Sequence, residues 1–194
     1  MVQAHSSAAN YKQVLSRYNR LPQDIKLWLD GVPELVENYK WEVSIAFVFM
    51  QIESMLHYTL YRGLVKIHRT DAVLTRDLLD RDHFTRARLK ELIKTVFGAA
   101  IPADVDNHLK AAETIRNRAI HGKKVTDVQA RACLMAAFEF LEGFSNAVEK
   151  TANFRPCGDG RGFKGRAQSL SKDTSRWVLR GMGITGPRPA EVSG

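Results

Sequence analysis

From Pro33 to about Arg62 the sequence carries one helical pattern, and its centre leaves the chain little choice of fold. Val43-Ser-Ile-Ala-Phe-Val-Phe-Met50 is apolar almost all round, as a helix buried in a core requires. Over those positions alone, periodicity fits a strand as well. The wider pattern favours helix, because it runs on through Leu60 with Glu37, Glu42, Gln51 and Glu53 inside it. Pro33 suits a first-turn position. At ~1.5 Å per residue the stretch makes a rod of roughly 45 Å. Shorter helices must pack around it.

The rest of the chain supplies them. Tyr11, Val14, Leu15, Tyr18 and Leu21 recur at helical spacing until Pro22 ends the run, after a frayed start at 1–7. Ile25, Trp28 and Leu29 give one apolar side to a short helix at 24–30, stopped by Gly31. Residues 69–83 read as a polar connection with one helical turn around Leu74–Leu79. A helix over 84–97 follows, closed by Gly98. Pro102 opens the next, striped by Val105, Leu109, Ala112 and Ile115. Thr126 and Gln129 form a capping box for a last helix running to about Asn153, which Gly143 weakens without breaking. The expected architecture is all-α, an up-and-down helical bundle of about five helices with one long central helix, over residues 8–154.

After Phe154 the composition changes. Residues 155–194 hold eight of the thirteen glycines, three of the six prolines and eight Lys/Arg against three carboxylates. That segment carries +5 of the formal +8, and reads as a disordered, basic C-terminal tail. A short helix around Leu170–Leu179, anchored by Trp177, is expected to form on a partner. A basic chain with a basic tail points to polyanions such as nucleic acid; simple solubility is the plainer reading. No signal-peptide pattern opens the chain, and no apolar run approaches the ~20 residues of a membrane span. Cys133 and Cys157 show no framework or metal spacing, which suits a reducing, cytoplasmic setting.

Chemistry concentrates in Arg116-Asn117-Arg118-Ala119-Ile120-His121-Gly122. Asn117 and His121 stand at i and i+4 and share a helix face. Arg116 lies about 140° around from His121, with a stem long enough to reach across. Gly122 fits the position just past a helix end, which puts His121 beside a turn. A guanidinium, an amide and an imidazole gathered there can hold a phosphate and move a proton. The same residues also suit two solvated arginines and a histidine capping a C-terminus. Glu53 follows the apolar centre of the long helix, in one row with Phe49, His57 and Tyr61. A carboxylate there needs a partner. It either pairs with His57 at the surface or faces the Arg116/His121 group and sets its charge state.

The stretch resembles the motif of the HEPN superfamily, in which an Arg and a polar residue precede a His by a few positions. Arg116, Asn117 and His121 match it, late in an all-helical domain as in that family, and the resemblance covers roughly residues 8 to 154. It implies a metal-independent endoribonuclease of toxin or phage-defence type, in which the RNA 2′-OH attacks the adjacent phosphate. His121 would then be general acid or base, an imidazole having an ordinary pKa of ~6.5. Arg116 would hold the non-bridging oxygens, and Asn117 would orient the phosphate or the ring. Arg118, Lys123 and Lys124 would bind flanking RNA backbone. The family habit of dimerising across one cleft implies a homodimer with a composite active site, and an antitoxin or defence-system protein as further partner. Some family toxins carry a Tyr two residues after the His; Lys123 holds that place here, which departs from that subtype. Two alternatives keep or drop the resemblance: a non-catalytic HEPN-like module that binds RNA or a partner, and a plain helical adaptor with a basic tail.

Other motifs do not hold. Gly160-Arg-Gly-Phe-Lys-Gly165 spells G-x-G-x-x-G without a βαβ unit around it, and Arg161-Gly-Phe163 begins an RNA-recognition motif that Lys164 breaks. The remaining histidines (5, 57, 68, 83, 108) lack metal-ligand spacing, and nothing resembles a serine or cysteine nucleophile motif. No cofactor and no metal are expected.

Overall fold

The computed structural model describes residues 8–158 and 168–185. Among them every regular element is a helix: α1 (Tyr11–Asn19), α2 (Gln23–Trp28), α3 (Val32–Glu37), α4 (Trp41–Lys66), α5 (Ala72–Arg81), α6 (Arg86–Phe97), α7 (Ala103–Ile120), α8 (Asp127–Ala152) and α9 (Lys172–Gly181). The protein is all-α, with more and shorter helices than the sequence pattern suggested. Residues 1–7, where a frayed start was expected, and the glycine-rich 160–165 lie outside the described residues.

The expected rod from Pro33 is two helices. α3 ends at Asn38 and the chain turns through Tyr39 at φ +54°. The Tyr39 N–H bonds back to Val36 O (3.2 Å) and the Lys40 N–H to Leu35 O (2.8 Å), the paired bonds of a Schellman stop. A non-glycine residue in that region costs about 1–2 kcal/mol, offset by the edge-on contacts of the Tyr39 ring with Tyr11 and Trp41 at 5.5 and 6.0 Å. α4 then runs four residues past Arg62. Among the described residues it is the one helix long and apolar enough to cross a membrane, and half of that apolar window is buried inside the protein.

The chain gathers into two compact units, each built from separate stretches. The first takes residues 1–54 and 101–160, and so holds α1–α3, the first half of α4, α7 and α8. Its core is Val14, Ile25, Val32, Ile45, Phe49, Ile52, Leu109, Leu134, Phe138, Phe140 and Phe144. α7 and α8 pack side by side, and Gly143 permits their close approach: a Cβ there would stand 2.7 Å from Val105 Cγ2. The glycine that weakens α8 as an isolated helix is what seats it on α7. Thr126 and Gln129 close α8 with the expected capping box.

Buried Arg17 ties α1 to α8, with Nε 2.7 Å from Glu139 Oε1 and a second bond to Glu142. The hydrogen bond from Arg17 holds the Glu139 carboxyl below its ordinary range, against burial, which pushes it up. A depressed carboxyl contributes stability above its unfolded value of ~4.3 and loses it as pH falls through the folded value. Wild-type protein should therefore lose more melting temperature between about pH 5 and pH 3 than Glu139→Gln does. Parallel melting curves for the two would show that the pair adds nothing.

The second unit takes residues 55–100 and 161–194, with the rest of α4, α5, α6 and α9. Met55, Leu56, Leu60, Leu64, Leu79, Leu89, Leu92, Ile93 and Val96 fill it. Gly63 lets α4 meet α6, since a Cβ would stand 2.4 Å from Val96 Cγ1. The connection expected at 69–83 is in fact a full helix, α5, started by Asp71 accepting the Leu74 N–H at 2.8 Å.

The segment from 155 on was expected to be disordered, and its described residues are ordered. Arg155 bonds to Asp24 (2.8 Å) and Glu149 (2.7 Å), and Cys157 is buried in the first unit. Residues 172–181 form α9, which packs on α5 within the second unit rather than waiting for a partner. Its anchors are Leu179 and Ile184, fully buried, whereas Trp177 is 75% exposed. One of the glycines that suggested disorder serves as a stop: Gly183 follows the end of α9 at φ +75°. Residues 159–167 and 186–194 of that tail lie outside the described residues.

Candidate functional site at the end of α7

Val105, Leu109 and Ala112 are buried along one face of α7, and Arg116 is the next residue of that row. Its stem therefore leaves the core edge half-buried. The guanidinium carbon lies 5.6 Å from the centre of the Phe49 ring on α4, a cation–π contact of about 0.5–2 kcal/mol. Nη1 donates to Asn117 Oδ1 at 3.3 Å. Phe49 is buried, so the arginine rests on a fixed surface.

The helix end beyond it is tightly specified. His121 is the last, capping position (φ −90°, ψ 18°) and Gly122 follows at φ +68°. The Gly122 N–H bonds to Ala119 O (3.1 Å) and the Lys123 N–H to Arg118 O (2.9 Å), a complete Schellman motif as the glycine suggested. Arg118 Nη2 reaches Lys124 O at 3.5 Å and draws the following loop back. Asn117, Arg118, His121, Lys123 and Lys124 are all exposed. Four cationic side chains and an imidazole thus stand within nine residues, the first of them, Arg116, over a buried ring.

The structure brings Arg116 and Asn117 into contact. It leaves the His121 ring on the outer face without a hydrogen bond to either of them. Glu53 lies one turn beyond Phe49 on α4, half-buried, in the first unit with the α7 residues. His57, the other candidate partner for Glu53, falls in the second unit, where its ring lies 6.0 Å from Phe84. Phe49 is the residue whose role sequence reasoning missed. Its place in the Glu53 row is legible in the sequence, but its role as the seat of Arg116 is not.

Neither thiol is poised for chemistry. Burial pushes Cys133 up to about 12, against the backbone of Arg116, and burial pushes Cys157 to about 12 as well. Among the described residues no three His, Cys, Asp or Glu side chains cluster as metal ligands would. An open groove of about 390 Å³ in the second unit is lined by Tyr61, Ala72, Val73, Arg76, Asp77 and Asp80. It contains none of Arg116, Asn117, Arg118, His121, Lys123, Lys124 and Glu53.

Fold and site thus define an all-helical protein with a cationic, histidine-bearing helix end. No family model matches the chain, and it has no match among curated proteins or solved structures.

Proposed function

We propose that the chain is a metal-independent endoribonuclease of the toxin or phage-defence kind suggested by its HEPN-like motif. The observation that carries the reading is Arg116, seated on Phe49 and joined to Asn117, at a rigid helix end that also displays His121. The RNA 2′-OH attacks the adjacent phosphorus as His121 accepts or relays its proton. The P–O2′ bond forms, the P–O5′ bond breaks, and the leaving 5′ oxygen takes up a proton. Arg116 offsets the charge gathering on the non-bridging oxygens, its flat fork fitting two of them. The Asn117 amide nitrogen orients the phosphate, and Glu53 biases the charge of the group. Arg118, Lys123 and Lys124 hold flanking phosphates. The cytoplasm, where RNA is abundant, is the matching compartment, and an antitoxin or defence-system protein would restrain the activity.

Because His121 and Arg116 leave α7 on different sides, we place a second copy of the chain against the first to complete the site. The exposed face of α4 supports this. Val43 and Met50, each about half exposed, share a stripe with Ala46, Phe47 and Ser54 that holds no charge. An antiparallel two-fold pairing centred between Ala46 and Phe47 lays Val43 of one copy on Met50 of the other, beside the Phe49–Glu53 row. Met50→Glu should halve the mass measured by light scattering at unchanged helicity. A wild type that is already monomeric would remove the composite site.

Wild-type protein in EDTA should cleave RNA at an unchanged rate and leave 2′,3′-cyclic phosphate ends, and a 2′-deoxy substitution at the scissile position should block it. A requirement for divalent metal would sink the mechanism. The solvent-facing His121 ring, without a hydrogen-bond partner among the described residues, favours one rival, an HEPN-like module that binds RNA or a partner without cutting. Tight RNA binding with intact RNA recovered would decide for it.

A further inference from the structure

Trp177 has 75% of its surface in solvent, more than any other large apolar side chain described, whereas tryptophan ordinarily hides most of its ~150–250 Å². The helix that carries it is firmly held. Leu179 and Ile184 are fully buried. Ser175 Oγ accepts the Asp71 N–H at 2.8 Å, the Leu170 N–H bonds to Arg69 O at 2.7 Å, and Arg88 Nη2 donates to Met182 O at 2.7 Å. The ring is therefore displayed on a fixed helix.

Its surroundings are cationic. Asp173, Arg176, Trp177 and Arg180 follow at i, i+3, i+4 and i+7, so they form one outward face, and all four are exposed. Arg176 pairs with Asp173 at 2.7 Å, a surface pair that an incoming phosphate displaces at little cost. Arg180 has no ion-pair partner among the described residues, and Lys172 opens the helix. The face thus offers one flat π surface with a guanidinium before and after it.

We propose that this face of α9 binds single-stranded nucleic acid, one base stacking on Trp177 while Arg176 and Arg180 take the phosphates on either side. Stacking is the contact that a bare indole supplies to any base, and flanking arginines follow the backbone. A membrane surface fits less well. An interfacial helix dips a broad apolar face into lipid, but the apolar face of α9 is already buried against its own unit. The site goes beyond the cleavage reading, since stacking and phosphate contact need neither a 2′-OH nor His121.

The test is fluorescence anisotropy of a labelled oligouridine and of its 2′-deoxy counterpart, titrated with the full chain in a His121→Ala background. Trp177→Ala should weaken binding roughly 5- to 100-fold, Trp177→Phe should restore most of it, and a duplex of equal length should bind more weakly. Arg180→Gln should flatten the log–log salt dependence by about one unit. Melting should not move, because none of these side chains is buried. Unchanged affinity in Trp177→Ala overturns the proposal. So does a Trp177-dependent attachment to phosphatidylcholine–phosphatidylserine vesicles that the oligomer fails to displace. Loss of cleavage in His121→Ala with α9 binding intact would separate the two readings.

Discussion

His121→Ala should lower RNA cleavage by about 10²–10⁴-fold, the contribution of a positioned general acid or base. Arg116→Ala should cost a comparable factor, since a donor aimed at developing oxyanion charge is worth about 10²–10³. Binding should fall far less in either variant, because Arg118, Lys123 and Lys124 stand exposed around the same helix end. Melting separates chemistry from folding. His121 is exposed, so its loss should leave the transition in place, and Arg116→Lys, which keeps the stem and the charge, should still lose activity because the fork is gone. Mixing Arg116→Ala with His121→Ala chains probes the two-copy site. A mixed dimer pairs an intact arginine with an intact imidazole in one of its two sites, so partial recovery is expected. Cleavage that survives His121→Ala would end this account of the mechanism.

A chain cut after residue 154 should be severely destabilised, although its composition suggests that everything beyond is dispensable. The cut removes Leu179 and Ile184, both fully buried. Those two side chains contribute roughly 3–6 kcal/mol by burial alone, against a whole stability of about 5–15. It also removes Arg155, leaving Asp24 and Glu149 without their partner, and strips the hydrogen bonds at Asp71, Arg69 and Arg88. A chain ending at 185 keeps all of these and should melt near wild type. Leu179→Ala, in the full chain, should cost about 2–5 kcal/mol. Melting curves for the three decide the matter, and a 1–154 chain as stable as the full one would show that α9 contributes nothing to its unit.

Where the sequence could be read, its local stereochemistry was self-sufficient. α6, α7 and α8 carry their own punctuation in Gly98, Pro102, Thr126 with Gln129, and Gly122, and each stop or cap acts through residues close by in the chain. The break at 38–40 was hidden because its left-handed residue is a tyrosine, kept there by the neighbouring Trp41 ring and the distant Tyr11 ring. α5 was read as a single turn around Leu74–Leu79, because the N-cap signal of Asp71, which accepts the Leu74 N–H, was passed over. The order of 155–158 and of α9 depends on Asp24, Asp71 and Arg88, a hundred residues away or more from their partners in most cases. No local pattern encodes such contacts. The site divides in the same way: Arg116, Asn117 and His121 were legible as a motif, whereas the Phe49 seat arises only when α4 and α7 meet.

The interleaving of the two units has a consequence for synthesis on the ribosome. Arg17 and Glu139 are 122 positions apart, and Asp71 and Ser175 are 104 apart. At ~5–20 residues per second, α1 waits roughly 6–24 s for the carboxylate that holds it. The apolar Val43–Met50 segment emerges early in that interval, before α7 and α8, the helices of its own unit that complete its packing. Neither unit can close while the chain is half made, so the nascent protein passes through a long stage with its most apolar helix uncovered. It should therefore lean on chaperones that shield emerging chains, and slowing translation between residues 60 and 140 should send more of it into aggregates.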